Sequence, residues 1–365
     1  MKVIAQTAAL QDALSLAGSI VATRTPKPVL QCVKLVAKDN TLTVLATDLE
    51  AGARYKITAV QVEQEGEALV PADRLSGIVR ESTDESLTIQ TEKEACLVRG
   101  AGSRFKIFGY DPGEYPAVAE FGDSGDFQVP ANVLGTMISR TLFAAAKAHS
   151  HYAISGVLWE ATGKKLQLVA TDGHRLALAK GSLAKSAAKD VTAIVPSKLM
   201  ALIARIADDA EEMLEVKVLE SQILVRTARA VLVSSLVQGN FPKYTDVIPK
   251  DTSAKATIET SQFDHRIRQA ALLTNEESRG VRLSFGDGQL TLSSRAPETG
   301  EAEVTCPITW EGQAMEIGFN PAFLTEALRV IASDSITFEM SASNKPAVMK
   351  AGSDFVYVLM PVDLG

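Results

Sequence analysis

No apolar run in this chain approaches the roughly 20 residues that a membrane-spanning helix needs, so no such span is expected. The opening residues, MKVIAQTAALQDALS, break their apolar stretch at Gln6 and Thr7 and do not form the continuous core of a secretory leader. Cysteine is scarce. Cys32, Cys96 and Cys306 are odd in number and far apart, which excludes a disulfide framework or a clustered zinc site and predicts reduced thiols in a cytosol. Aromatic residues are only 5% of the chain, with no RNP-like string, which argues against holding single strands by base stacking. Chemical signatures are missing too: there is no nucleophile elbow and no phosphate loop, and GAGSRF at Gly100 lacks the last glycine of the dinucleotide fingerprint. His149 and His151 are two ligands without a third. No catalytic residue, metal site or cofactor is expected. One enzymatic alternative stands: Asp172, two residues before His174, could orient an imidazole as general base in a nucleotide-processing enzyme.

What the chain does contain is a repeat. An amphipathic helix, a strand pair ending at a polar turn, a second helix opened by proline, and closing strands return three times. The turn reads LTVLATDLEAG at Leu42, LQLVATDGHRLA at Leu166 and, more faintly, LTLSSRAPETG at Leu290. Pro71, Pro196 and Pro321 open the second helices at steps of 125 and 125. A period this long means three copies of one domain rather than a solenoid, and a third of 365 residues is a comfortable single core. Polar turn text bounds the copies at 1–123, 127–249 and 255–365.

Within each copy, apolar residues at helical spacing predict helices over 6–24, 71–80, 130–149, 196–206, 259–270 and 320–331, with Asn320 capping the last ahead of Pro321. Alternating segments such as LEVKVLE, SITFEM and DFVYVL read as half-buried strands, and short turns such as GDGQ favour antiparallel hairpins. The fold class is α+β, with helices on one face of antiparallel sheets. The net charge of −7 would count against a polyanion, yet the expected helices carry ten Lys and Arg against five Asp and Glu. A weakly positive helical layer on an acidic body would draw a polyanion to one face.

Five segments make the chain similar to a known family: ATDGHRLA at Ala170, GNFPKYTDVIPK at Gly239, TNEESRGVRL at Thr274, MEIGFNPAFLTEAL at Met315 and the ending YVLMPVDLG. Over its full length and in order it resembles the bacterial DNA polymerase III β subunit, the replicative sliding clamps. The resemblance implies three tandem DNA-clamp domains per chain, two chains closing head to tail into a homodimeric ring, helices lining the hole, and no catalysis. It implies a cytoplasmic processivity factor whose partners are encircled double-stranded DNA, the DNA polymerase III catalytic subunit, a clamp loader, and other DNA polymerases and repair proteins, with no membrane.

Carried over residue by residue, the family's partner-peptide pocket maps to Ile154, Thr171, Gly173, His174, Arg175, Leu176, Pro242, Val247, Val358, Leu359, Met360, Pro361 and Val362. Arg24, His149, Tyr152 and Lys198 occupy or adjoin the family's DNA-facing positions, and Arg205 joins them as a cation on a helix expected to face the hole. The dimer seam maps to Arg74, Arg104, Phe105 and Ile107 on one side and to Leu272, Leu273, Glu298, Glu301 and Glu303 on the other. Asp246 and Asp363 stand where the family often has arginine, which bears on the pocket's charge preference.

Overall fold

The computed structural model describes residues 1–93, 95–147, 152–207, 209–274, 280–297 and 300–364. The first third runs β1 (Lys2–Gln6), α1 (Thr7–Gly18), β2 (Cys32–Lys38), β3 (Thr41–Thr47), β4 (Ala51–Ile57), β5 (Val60–Gln64), β6 (Gly66–Pro71), α2 (Ala72–Glu81), β7 (Ser86–Glu92), β8 (Ala95–Arg99) and β9 (Arg104–Phe108). The middle third runs β10 (Phe127–Pro130), α3 (Ala131–Leu142), β11 (Gly156–Thr162), β12 (Lys165–Thr171), β13 (Arg175–Ser182), β14 (Val191–Pro196), α4 (Ser197–Ile206), β15 (Met213–Val218), β16 (Gln222–Arg226) and β17 (Ala230–Ser235). The last runs β18 (Ala254–Glu259), α5 (Thr260–Ala271), β19 (Val281–Gly286), β20 (Gln289–Ala296), β21 (Gly300–Pro307), β22 (Thr309–Glu311), β23 (Met315–Phe319), α6 (Pro321–Leu328), β24 (Ser335–Met340), β25 (Ala347–Ala351) and β26 (Phe355–Leu359). The same order of pieces returns three times.

Helix ends differ from the periodic reading. Apolar spacing persists to Val21, but α1 closes at Gly18, where the Ser19 N–H turns back to the carbonyls of Leu16 and Ala17. Arg24 therefore lies in the segment after the helix. On the observed helices, seven Lys and Arg face five Asp and Glu, so the positive layer is thinner than expected. At α6 the expectation holds: Asn320 accepts from the Ala322 N–H and Pro321 takes the first helical position.

The strands form four antiparallel sheets in two compact units. One unit, Met1–Asn132 with Leu183–Lys189 and Lys198–Leu236, holds a sheet in the order β5-β1-β7-β8-β9 and another in the order β10-β15-β16-β17-β4-β3-β2-β6. The other, Val133–Ser182 with Asp190–Ser197 and Val237–Gly365, holds β14-β11-β12-β13-β26-β25-β24-β18-β22 and β21-β20-β19-β23. Hairpins account for most neighbours, as the short turns predict. Two of the remaining pairings join one third of the chain to another: β17 runs antiparallel to β4, and β26 to β13. Edge groups of one repeat are thereby satisfied by the next.

Segments after each repeat's last strand cover the outer faces of the joined sheets. In the first unit Tyr115, Val118 and Phe121 pack on Leu45, Leu69, Leu224 and Val233. In the second, Val237, Phe241, Tyr244 and Ile248 pack on Leu158, Val169, Leu176, Leu178, Ile194 and Val358. All three cysteines are free and buried, and burial pushes the Cys32 thiol up to about 11 and the Cys96 thiol up to about 12. Among the described residues no group of side chains could hold a metal ion, and no helix is long and apolar enough to cross a membrane.

Candidate functional site

The turn between β12 and β13 is built by its own side chains. The Thr171 hydroxyl donates to the Arg175 carbonyl at 2.6 Å and accepts from the Gly173 N–H at 3.2 Å. Asp172 Oδ1 accepts from the His174 and Arg175 N–H groups at 3.0 and 3.1 Å. Gly173 sits at φ +90, a conformation that an L side chain strains. The other Asp172 oxygen accepts from Arg175 Nε at 3.0 Å.

Arg175 is 9% exposed, and every face of its guanidinium is engaged. It donates to Glu326 of α6 and, at 2.7 Å, to the Phe143 carbonyl, and it lies 4.3 Å from the Phe323 ring centre. Burial alone would lower the Arg175 pKa, but the Tyr357 hydroxyl and the Glu326 carboxylate outweigh it and raise the value. The same contacts do not favour the enzymatic alternative: both Asp172 oxygens are engaged by the turn amides and Arg175.

Strand register then brings distant motifs together. The β13–β26 pairing sets Arg175 opposite Leu359 and Leu176 opposite Val358, and the Met360 N–H donates to the His174 carbonyl at 2.9 Å. The covering segment supplies Pro242 and Val247. Of the pocket candidates, Gly173, His174, Pro242, Val247 and Met360 are exposed, and Pro361 and Val362 are half-buried. Ile154, Thr171, Arg175, Leu176, Val358 and Leu359 are buried, with Leu359 fully enclosed. These six hold the surface rather than form it, a correction to reading all thirteen as lining. Val247 at 43% and Met360 at 40% are the large exposed apolar side chains among these candidates. Asp246 and Asp363 are both exposed nearby in sequence. Sequence reasoning missed Glu326, Phe143 and Phe323; the one available signal was a lone glutamate within the apolar text of α6.

The DNA-facing candidates are less free than expected. Arg24 is exposed. Lys198 Nζ lies 2.5 Å from Asp48 Oδ2 and donates to the Ile20 carbonyl at 3.3 Å, while Arg205 donates to the hydroxyls of Ser15 and Ser19. Burial would raise the Asp48 pKa, but Lys198 and the turn amides hold it below the usual carboxylate value. His149 and the Tyr152 side chain lie outside the described residues.

The seam candidates fall on two strand edges. In β9, Arg104 and Phe105 are exposed and Ile107 is buried; β9 pairs only with β8 among the described residues. Arg74 of α2 is exposed. In β21, which pairs only with β20 among the described residues, Glu301 and Glu303 are exposed. Leu272, just past α5, is 78% exposed, which rules out its being ordinary core; Leu273 is half-buried. Glu298 lies outside the described residues.

Three family descriptions match the chain: "DNA polymerase III beta subunit, N-terminal domain" over 1–119, "central domain" over 128–243 and "C-terminal domain" over 245–363. A beta sliding clamp of Pseudomonas putida is 32% identical over 362 residues, covering 98% of this chain and 99% of that protein. The crystal structure of a DNA polymerase sliding clamp from Bacillus subtilis superposes with a TM-score of 0.95 at 26% identity, covering 100% of this chain and 99% of that one. The DNA polymerase III subunit beta of Pseudomonas aeruginosa superposes with a TM-score of 0.93 at 31% identity, both chains fully covered.

Proposed function

The chain belongs to the bacterial DNA polymerase III beta subunit family, and we propose that it encircles duplex DNA as a head-to-tail dimer and tethers polymerases to it. It is a sliding clamp that confers processivity, and it works by topology and tethering rather than by covalent chemistry. The observation that carries the ring is the pair of unfilled edges. In each repeat the last strand seeks a partner: β17 finds β4 and β26 finds β13. β9 holds the place of β17 and β26 in its repeat, and β21 holds the place of β4 and β13. The remaining edges, basic at Arg104 and Lys106 and acidic at Glu301 and Glu303, complement one another between two copies of the chain. Leu272 and Leu273 then seat against Phe105 and Ile107 of the second copy, with Arg74 and Glu298 at the rim.

DNA is held weakly and without sequence preference, because few uncommitted cations face it and phosphate contacts read no bases. Arg24 is the freest of the assigned contacts, His149 and Tyr152 join it, and Lys198 and Arg205 contribute a field already shared with Asp48 and the α1 hydroxyls. The exposed patch of His174, Gly173, Pro242, Val247, Met360, Pro361 and Val362 receives short peptides from the DNA polymerase III catalytic subunit, the clamp loader, and other polymerases and repair proteins. An apolar anchor with few polar groups suits such a peptide. We assign the domains to 1–123, 127–249 and 255–365 and the protein to the cytoplasm. In sedimentation the chain should run as two copies, and once loaded it should stay on circular DNA and slip from linear DNA. Leu272→Ala with Leu273→Ala should give a folded monomer that neither form retains. Equal retention on linear and circular DNA would defeat the clamp, and an unchanged dimer would defeat the seam.

A further inference from the structure

The three repeats end on one shared contact and then diverge. The Tyr110 N–H donates to the Leu69 carbonyl, the Val237 N–H to that of Ile194, and the Val362 N–H to that of Gly318, at 3.0, 2.9 and 2.9 Å. In the first two copies the accepting residue carries a buried apolar side chain, Leu69 or Ile194, that joins the outer core of its sheet. In the third copy the accepting residue is glycine.

The pleat shows what that glycine leaves bare. Along β23, Ile317 and Phe319 face the core, so Gly318 and Glu316 face outward. On its neighbour, Val281, Leu283 and Phe285 face the core, so Arg282 faces outward opposite Gly318, with Gly280 one step before it on the same face. The two glycines, diagonal to one another on this face, leave a slot in the surface, and Leu364 fills it. A Cβ built on Gly318 would stand 2.6 Å from Leu364 Cγ, and one built on Gly280 would overlap Leu364 Cδ2. An open cavity of about 490 Å³ runs beside the slot, walled in part by Arg282, Glu316 and Asn344. The Val362 backbone bond and Leu364 both hold the tail, whose residues are half-buried or exposed rather than enclosed on all sides.

We infer that Leu364 in the Gly280/Gly318 slot is a latch that fixes the tail's register and thereby positions Met360 and Pro361 for partner peptides. The third repeat moved its apolar filler from strand to tail, which makes a removable strap of what is fixed core in the other two. Leu364, Gly280 and Gly318 are positioning residues that need not touch the peptide. This reading rests on the peptide pocket proposed above, and the test separates the two.

Hydrogen exchange at the Val362 amide reads the latch, and titration with a short synthetic peptide containing glutamine, leucines and an aromatic residue reads the pocket. In Leu364→Ala the amide should exchange about tenfold faster and peptide affinity should fall about tenfold. Gly280→Ala should do the same, since the nearest atoms its Cβ would meet are side-chain atoms, Leu364 Cδ2 first among them, whereas a Cβ on Gly318 would also strike the Val362 carbonyl. The double variant should be no worse than Leu364→Ala alone, because no leucine is left to displace. Unchanged exchange in both single variants, or additive losses in the double, would overturn the latch. Faster exchange with unchanged affinity would overturn the positioning role. If wild type and His174→Ala bind the peptide equally or not at all, the pocket falls and the positioning role with it, while exchange still decides the latch.

Discussion

The turns Thr47–Ala51 and Thr171–Arg175 are the same backbone device put to different uses. In both, the threonine hydroxyl donates four residues ahead and accepts two residues ahead: Thr47 with Ala51 and Leu49, Thr171 with Arg175 and Gly173. In both, the aspartate accepts from the fourth and fifth N–H of the turn. In both, the fourth carbonyl accepts from the residue at the end of a closing strand, Ser235 on Glu50 and Met360 on His174. The side chains then part company. Asp48 turns its free oxygen to Lys198, and position 51 is a buried alanine; Asp172 turns inward to the buried Arg175, leaving Gly173 and His174 on the surface. In the function proposed above the first turn serves as a joint and the second as a docking surface, and only the second has a buried cation behind it to anchor the aspartate from within.

The sharpest way to break this comparison is to remove that cation. Arg175→Ala strands Asp172 and Glu326 and should cost about 3–5 kcal/mol of stability by thermal or denaturant unfolding, the scale for breaking a buried pair. Asp48→Ala, whose lysine partner reaches solvent, should cost far less; equal losses would mean the two turns share one role. On the binding side, His174→Ala should weaken a partner peptide by about 1–3 kcal/mol at unchanged stability, whereas Glu50→Ala at the matching position should leave titrations unaltered.

Swapping the left-handed residue sharpens the contrast further. Leu49 holds φ 81 where the second turn has glycine. Leu49→Gly should raise stability and Gly173→Ala should lower it, each by about 1 kcal/mol, the penalty for an L side chain in that conformation. Opposite signs in matched melts support the equivalence; two losses would refute it. The smallest effect is pH-dependent. Because the folded Asp48 carboxyl is held below its ordinary value, its contribution is complete above the unfolded pKa of about 4 and fades as pH falls through the folded value. Asp48→Asn should therefore flatten the acid side of the stability curve and leave the neutral side parallel to wild type.

Much of this was legible in the chain. Repeat spacing marked three copies, and the alternation in SITFEM and DFVYVL marked strands that exist as β24 and β26. ATDGHR marked a side-chain-bonded turn, and the proline steps marked the second helices. The length of α1 differs from the periodic reading because its apolar spacing runs past the helix end: Ile20 is buried although α1 closes at Gly18. Arg175 enters the pocket set through the family resemblance, and nothing local in the sequence shows that Glu326, 151 positions away, will cover it.

Short-range physics accounts for what the sequence determined alone: three copies of an α+β unit, their hairpins and caps, the turns and the scarcity of chemical groups all depend on residues within a few positions of one another. Tertiary structure decided which edges meet. The β17–β4 and β13–β26 pairings, the burial of Arg175, the tie between Lys198 and Asp48 and the seat of Leu364 all join residues more than a hundred positions apart or on separate strands. No local pattern encodes them, because an unpaired strand edge accepts any complementary strand, and only the packed chain selects which one arrives.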